Sequence, residues 1–210
     1  MASVSRHAHW ESVYRTKRPD EVSWYQSEPG ISLDLIRATG EGPSARVLDV
    51  GGGASVLVDR LLEAGFEHIG VMDIAPAALS ASRDRLGPRS DAVEWVEADV
   101  LEYRANEPWD IWHDRAVFHF LVDPEDRARY RASLYEAVAP GGHVIVATFG
   151  PEGPTRCSGL DTLRCSADEI AAALGDGVTL VESRTEVHRT PSGADQQFVY
   201  ARLLRVDPTG

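Results

Sequence analysis

Lysine is nearly absent from this chain: Lys17 stands alone, so 20 of the 21 basic side chains are arginine. Basic charge is scarce altogether, because 33 Asp and Glu oppose those 21 and leave a formal net charge of −12. No Lys/Arg-rich run offsets that field, so phosphate backbones and anionic lipid surfaces are repelled and neither nucleic acid nor a membrane is expected as a partner. Cysteine occurs only as Cys157 and Cys165, too few for a disulfide framework and not spaced like a zinc knuckle. Two ordinary reduced thiols are expected in preference to a soft metalloid site, and no metal is expected. No apolar run approaches the roughly 20 residues that cross a bilayer, and Met1–His7 lacks the apolar stretch of a signal peptide, so the cytoplasm is the expected location. Low-complexity tracts are missing too, with 12 prolines and 18 glycines dispersed along 210 residues. Such a length suits a single domain, 1–210, with a full hydrophobic core.

What is present is alternation. Short apolar runs at Ala45–Val50, His68–Met72, Val93–Val96, Asp110–His113 and His143–Phe149 have strand length and are rich in Val and Ile. Helical patterns lie between them. Ser55–Ala64 carries Val56, Leu57, Leu61 and Ala64 at helical spacing before Gly65, and Ala75–Leu86 opens on Pro76 and stops at Gly87-Pro88. Asp123-Pro124-Glu125 opens a helix to Ala139, and Pro140-Gly141-Gly142 then turns the chain into the next strand. Ser166-Ala167-Asp168-Glu169 reads as a capping box for a last short helix. Val178–His188 and Gln197–Val206 follow with no helix between them, which predicts an antiparallel pair at one sheet edge, with His188 and Arg189 facing solvent near Pro191-Ser192-Gly193. The expected fold is α/β: a Rossmann-like, seven-stranded, mainly parallel sheet with an antiparallel edge hairpin and helices on both faces. In such sheets ligands bind beyond the carboxyl ends of the strands, so the motifs belong just after each strand.

After the first strand comes Asp49-Val50-Gly51-Gly52-Gly53-Ala54-Ser55. A dinucleotide fingerprint needs a third glycine where this chain has Val56, and Asp49 would repel a pyrophosphate while favouring an ammonium or sulfonium. The Asp-x-Gly-x-Gly pattern resembles the first motif of class I S-adenosylmethionine (SAM) methyltransferases, and four later stretches agree with it in order. Asp73, followed by Ile74, ends the second strand, where a carboxylate can accept both ribose hydroxyls. Glu97-Ala98-Asp99-Val100 ends the third, where that family places an acid near the adenine amine and the next residue beside the ring. Trp109–Arg115, containing His113, ends near the family's methyl donor, and Pro140-Gly141-Gly142-His143 matches its turn into strand five. The resemblance covers residues 45–149 and implies SAM as cofactor, S-adenosylhomocysteine as product, and Asp49, Gly51, Gly53, Asp73, Ile74, Asp99, Val100 and His113 as cofactor-binding residues.

The N-terminal stretch holds Trp10 and Tyr14 one helical turn apart, then Lys17 and Trp24-Tyr25-Gln26. It is expected to fold over the strand ends as a lid within residues 1–40, with Trp10 and Tyr14 against the cofactor and Trp24, Tyr25 and Gln26 against the acceptor. This segment and Trp112-His113-Asp114-Arg115-Ala116-Val117 are similar to thiopurine S-methyltransferases, the latter to their Trp-x-Asp-Arg-Gly-Ala stretch. That similarity implies a small-molecule acceptor such as a thiol, with the pocket completed by the loop and terminal elements of 150–210. Asp114, Arg115 and His119 are the candidate catalytic residues. Arg115 is either a cation that favours a thiolate or an ion-pair partner of Asp114, and His119 is either a base or a satisfied core histidine. The alternatives are a protein lysine methyltransferase, with the acidic surface meeting a basic partner, and a binder of SAM or a nucleotide without chemistry. Nothing in the sequence sets the oligomeric state.

Overall fold

The computed structural model describes residues 5–207, so Met1–Val4 and the last three residues of the expected 1–210 domain lie outside it. Strands β1 (Arg46–Val50), β2 (His68–Asp73), β3 (Val93–Glu97), β4 (Trp109–Arg115) and β5 (Val138–Phe149) run parallel. A two-residue pair, β6 (Arg156–Cys157) and β7 (Leu160–Asp161), decorates the loop after β5. β8 (Val178–Arg189) and β9 (Asp195–Arg205) close the chain, with β9 antiparallel to both β5 and β8. The sheet order is β3-β2-β1-β4-β5-β9-β8, the seven-stranded sheet with an antiparallel edge pair that alternation predicts. The order reverses between β1 and β4, which opens a crevice beyond their carboxyl ends.

Helices α1 (Arg6–Thr16), α2 (Gly30–Arg37), α3 (Leu57–Glu63), α4 (Pro76–Leu86), α5 (Pro124–Ala137) and α6 (Ala167–Leu174) flank the sheet. Strand alternation divides the core in two. Val47, Ile69, Val71, Ile111 and Ile145 meet α2, α3 and α4 on one face, while Leu48, Val50, Trp112, Val144 and Val146 meet α5 and α6 on the other. Local signals set the helix starts: the Asp123 side chain accepts from the Glu125 N–H at α5, and Ser166 and Glu169 form the capping box of α6.

Several expectations need correction. Pro140-Gly141-Gly142 does not precede β5 but lies inside it: Val138 already pairs with Trp109, and the register resumes at His143 opposite Ile111 across a bulge at Gly141, whose φ is +90°. α2 is no part of a lid, because Leu35 and Ile36 are fully buried in the core. His188 does not face solvent. It is 6% exposed, and its Nε2 lies 2.8 Å from the Ser23 carbonyl, which ties the N-terminal segment to β8. Arg189 is exposed, as expected. Cys157 and Cys165 are free, buried, and in different core clusters.

Candidate cofactor and acceptor site

A cleft lies beyond the carboxyl ends of the central strands. Its floor is the turn after β1. Gly51 adopts φ +65°, and any side chain there would run into the Val117 methyl group, which itself lines the cleft. Gly53 lies deeper: its Cβ would overlap the Asp73 carboxylate and meet Ala78 Cβ at 2.7 Å.

Three acids stand at successive strand ends. Asp73 accepts the Ala75 N–H at 2.8 Å through Oδ1, and burial, reinforced by the neighbouring Asp49, pushes its carboxyl up to about 7 despite that hydrogen bond. Asp99, with Ile74 and Val100, lines the far end of the cleft and is paired to Arg6 at 3.2 Å. Asp49 lines an adjoining chamber. Its Oδ1 is 2.7 Å from His113 Nδ1, while its Oδ2 is buried with no partner in the protein.

The roof comes from α1. Trp10 meets Trp24 and Phe120 edge-on, with ring centroids 5.8 and 4.8 Å apart, and Tyr14 meets Trp24 at 6.3 Å. Glu11 Oε2 accepts the Ala77 N–H at the start of α4, an interaction that holds its carboxylate below the ordinary range, and Arg6 joins Asp99 to Asp126. Trp10, Tyr14 and Trp24 therefore stand over the strand ends. Tyr25 and Gln26 line the adjoining chamber with His113, and Gln26 is tied to Glu186 at 2.8 Å.

Of the three candidate catalytic residues, only Arg115 lines the cleft. Its Nε donates to the Tyr200 hydroxyl and its Nη1 to the Trp24 carbonyl, both at 2.9 Å. Its Nη2 is buried, 3.7 Å from Glu186, without a hydrogen bond. It makes no pair with Asp114. That carboxylate is fully buried and accepts from the N–H groups of Val117 and Phe118 and from the Tyr130 hydroxyl at 2.7 Å, so its oxygens are committed to the loop after β4. His119 lies in a one-turn 3-10 helix, not an apolar α-helix. Its ring stacks on Phe149, its Nδ1 accepts the Phe149 N–H at 3.3 Å, and burial lowers it to about 3. Neither Asp114 nor His119 lines the cleft, and His119 Nε2 is buried without a hydrogen-bond partner.

The sequence reading missed Arg6, Phe120, Glu186 and Ser32. Ser32 had a signal, since it shares the helical face of Leu35 and Ile36, and a hydroxyl in an apolar stripe marks a buried hydrogen bond. The Trp-x-Asp-Arg stretch also hides a strained position: Ala116, which lines the cleft, has φ +74° where the similar family has glycine.

Among known proteins, residues 48–144 match the family described as "Methyltransferase domain". Nodulation protein S of Rhizobium tropici is 27% identical over 123 residues, 59% of this chain and 50% of the relative. Thiocyanate methyltransferase 1 of Arabidopsis thaliana is 28% identical over 145 residues, 67% of this chain and 60% of the relative. These alignments thus span about half to six-tenths of the relatives' own length. Among solved structures, the N-methyltransferase NodS from Bradyrhizobium japonicum with S-adenosylhomocysteine superposes with TM-score 0.74 at 18% identity, over 94% of this chain and 98% of that one. The 1,6-didemethyltoxoflavin-N1-methyltransferase of Burkholderia thailandensis gives 0.74 at 20% identity, over 99% and 93%. At such identities the superpositions establish the fold. No group of three or more His, Cys, Asp or Glu among the described residues is arranged to hold a metal ion, and no described helix is long and apolar enough to cross a membrane.

Proposed function

We propose that the protein is a class I S-adenosylmethionine-dependent methyltransferase that moves the methyl group of SAM onto a small molecule bearing a soft nucleophile such as a thiol. The observation that carries this reading is the row of carboxylates at adjacent strand ends, Asp49, Asp73 and Asp99, under an aromatic roof, with one Asp49 oxygen buried and unpartnered. That set fits a nucleoside with a cationic tail and no phosphate. When bound, SAM supplies an electrophilic methyl group on a sulfonium whose leaving group is a neutral thioether. Asp73 would accept the ribose hydroxyls, Asp99 with Ile74 and Val100 would meet the adenine, and Gly51 and Gly53 would let the backbone approach closely. His113 would act beside Asp49 at the other end. Trp10 and Tyr14 would exclude water, which strengthens every charge interaction beneath them.

Arg115 supports the choice of acceptor. Its Nη2, ion-paired with Glu186 at 3.7 Å but making no hydrogen bond, is a buried cationic donor, and an acidic thiol beside it would be drawn toward its anion. Trp24, Tyr25 and Gln26 would form the acceptor wall. With Asp114 committed to the loop after β4 and His119 outside the cleft lining, the acceleration rests on positioning and on that charge.

A transfer assay with methyl-labelled SAM tests the reading, using a panel of small thiols, amines and phenols plus cell lysate, with label separated by molecular mass. Label in a small thiol product is expected. Label confined to protein would replace this reading with lysine methylation, and binding without transfer to any of these acceptors would leave a SAM binder.

A further inference from the structure

Ser32, His113 and Asp49 form a continuous hydrogen-bonded chain in the wall of the second chamber. Building on the cofactor reading above, we propose that Ser32 and His113 are positioning residues that hold Asp49 with one oxygen free for the ammonium group at the amino-acid end of the donor. The three side chains come from three elements, α2, β4 and β1, and are only 1%, 2% and 3% exposed. Asp49 and His113 are register partners on adjacent strands, which brings His113 Nδ1 to 2.7 Å from Oδ1. His113 Nε2 lies 2.9 Å from the Ser32 hydroxyl. With Asp49 ionised and the ring neutral, Nδ1 carries the proton and donates to the carboxylate, and Nε2 accepts from Ser32.

The consequence falls on the other carboxylate oxygen. The terminal torsion of an aspartate is a broad rotor, so an unheld carboxylate in this turn could present either oxygen in several directions. Here the imidazole holds Oδ1, and Gly52 lies so close against Oδ2 that a side chain there would overlap it. Oδ2 remains buried and without a partner, in a chamber that Asp49, Ser32 and His113 line together. A buried carboxylate oxygen of this kind is matched by a cationic N–H donor, through a short, charge-assisted hydrogen bond. Ser32 acts two bonds away: it fixes the ring plane, which fixes the carboxylate. This chain therefore makes discrimination for the charged end of the donor depend on a helix that precedes the first strand.

The test compares two ligands in calorimetric titrations of the full-length protein: S-adenosylhomocysteine, and 5′-methylthioadenosine, the same nucleoside thioether without the amino-acid end. The preference of the wild type for S-adenosylhomocysteine should fall about tenfold or more in His113→Leu, while affinity for 5′-methylthioadenosine stays within about twofold. Ser32→Ala should fall between, and His113→Asn, whose amide can still donate to Asp49, should retain more of the preference than the leucine variant. Because the readout is a ratio within each folded variant, general loosening cancels. Equal weakening toward both ligands in Ser32→Ala and His113→Leu overturns the proposal, since support of the fold alone would move both. Should the leucine variant fail to fold, Ser32→Ala decides by the same ratio. A wild type that binds neither ligand overturns the cofactor reading and the proposal with it.

Discussion

Gly53→Ala isolates one physical claim, that the turn after β1 must pass against the Asp73 carboxylate. Gly53 has no positive φ, so alanine meets no backbone strain there and its effect is steric. The new Cβ would overlap Asp73 Oδ2, stand 3.1 Å from Asp73 Cγ and meet Ala78 Cβ at 2.7 Å. Neither side yields easily. Asp73 is held by the Ala75 N–H at 2.8 Å, and the Gly53 carbonyl accepts the fully buried Ser82 hydroxyl at 2.5 Å. Overfilling such a site costs about 1–3 kcal/mol, and two pinned partners place this one toward the upper end, a loss of about 5–10 °C in melting temperature for a chain of this size. If Asp73 holds the ribose as proposed, displacing its carboxylate would also remove charge-assisted hydrogen bonds to the nucleoside, so affinity for S-adenosylhomocysteine should fall by about 10- to 100-fold. Gly42→Ala, whose Cβ meets nothing within 4 Å, is the control and should match the wild type in both measurements. Calorimetry and thermal melting of the two variants decide. A Gly53→Ala protein with wild-type melting and affinity would refute the reasoning, for it would mean that the turn and Asp73 separate without cost.

Three further outcomes are expected. Burial raises the folded-state value of Asp73 to about 7, above an unfolded value of about 3.9, so between those limits the folded chain holds a proton that the unfolded chain has released. Its contribution to stability is full below about pH 4 and is lost as pH rises through 7; Asp73→Asn should therefore gain on the wild type by up to about 1.4 kcal/mol per pH unit across that window in denaturant titrations, and parallel curves would contradict it. Ala116→Gly, at φ +74°, should stabilise by roughly 0.5–1 kcal/mol, the relief of left-handed strain less the added entropy of the unfolded chain, with a lower denaturation midpoint as the opposing result. Tyr130→Phe strips the Trp112 indole N–H of its acceptor at 2.9 Å and Asp114 of a donor at 2.7 Å, a loss of about 2–4 kcal/mol in chemical denaturation, whereas a change under 1 kcal/mol would mean that neither group depends on the hydroxyl.

The acids and glycines at the strand ends were legible because their signals are short-range. Asp49 and Asp73 lie at the ends of β1 and β2, Gly51 follows β1, and Asp99 and Val100 follow β3; each strand can be recognised from its own apolar run, and the parallel sheet aligns those ends without further instruction. Legibility failed where local chemistry and tertiary partner disagree. Pro140-Gly141-Gly142 reads locally as a turn, yet pairing of Val138 with Trp109 draws it into β5. His188 sits near a Pro-Ser-Gly turn that promises exposure, but a carbonyl from residue 23 covers it. The neighbours of His119 were correctly read as apolar, while the direction of its ring is set by a single 3-10 turn and by Phe149, 30 residues onward. Arg6 had no local signal, since its partners lie 93 and 120 residues away.

That division has a structural cause that bears on the acceptor. Residues 23–26 are fastened by three contacts that cross the sequence: Ser23 O to His188, Trp24 O to Arg115, and Gln26 to Glu186. Glu186 also accepts from Tyr200, whose hydroxyl receives Arg115 Nε, so the N-terminal segment, β4 and the β8-β9 hairpin share one partly buried polar network beside the chamber. In a network of this kind, removing one partner leaves another buried group unsatisfied, and single substitutions are felt by all members. The wall assigned to the acceptor is therefore expected to change as a set, with residues near 25, 115, 186 and 200 altered together. The wall that the proposal gives to the acceptor is thus built from pairings between distant segments, which no window of the sequence contains.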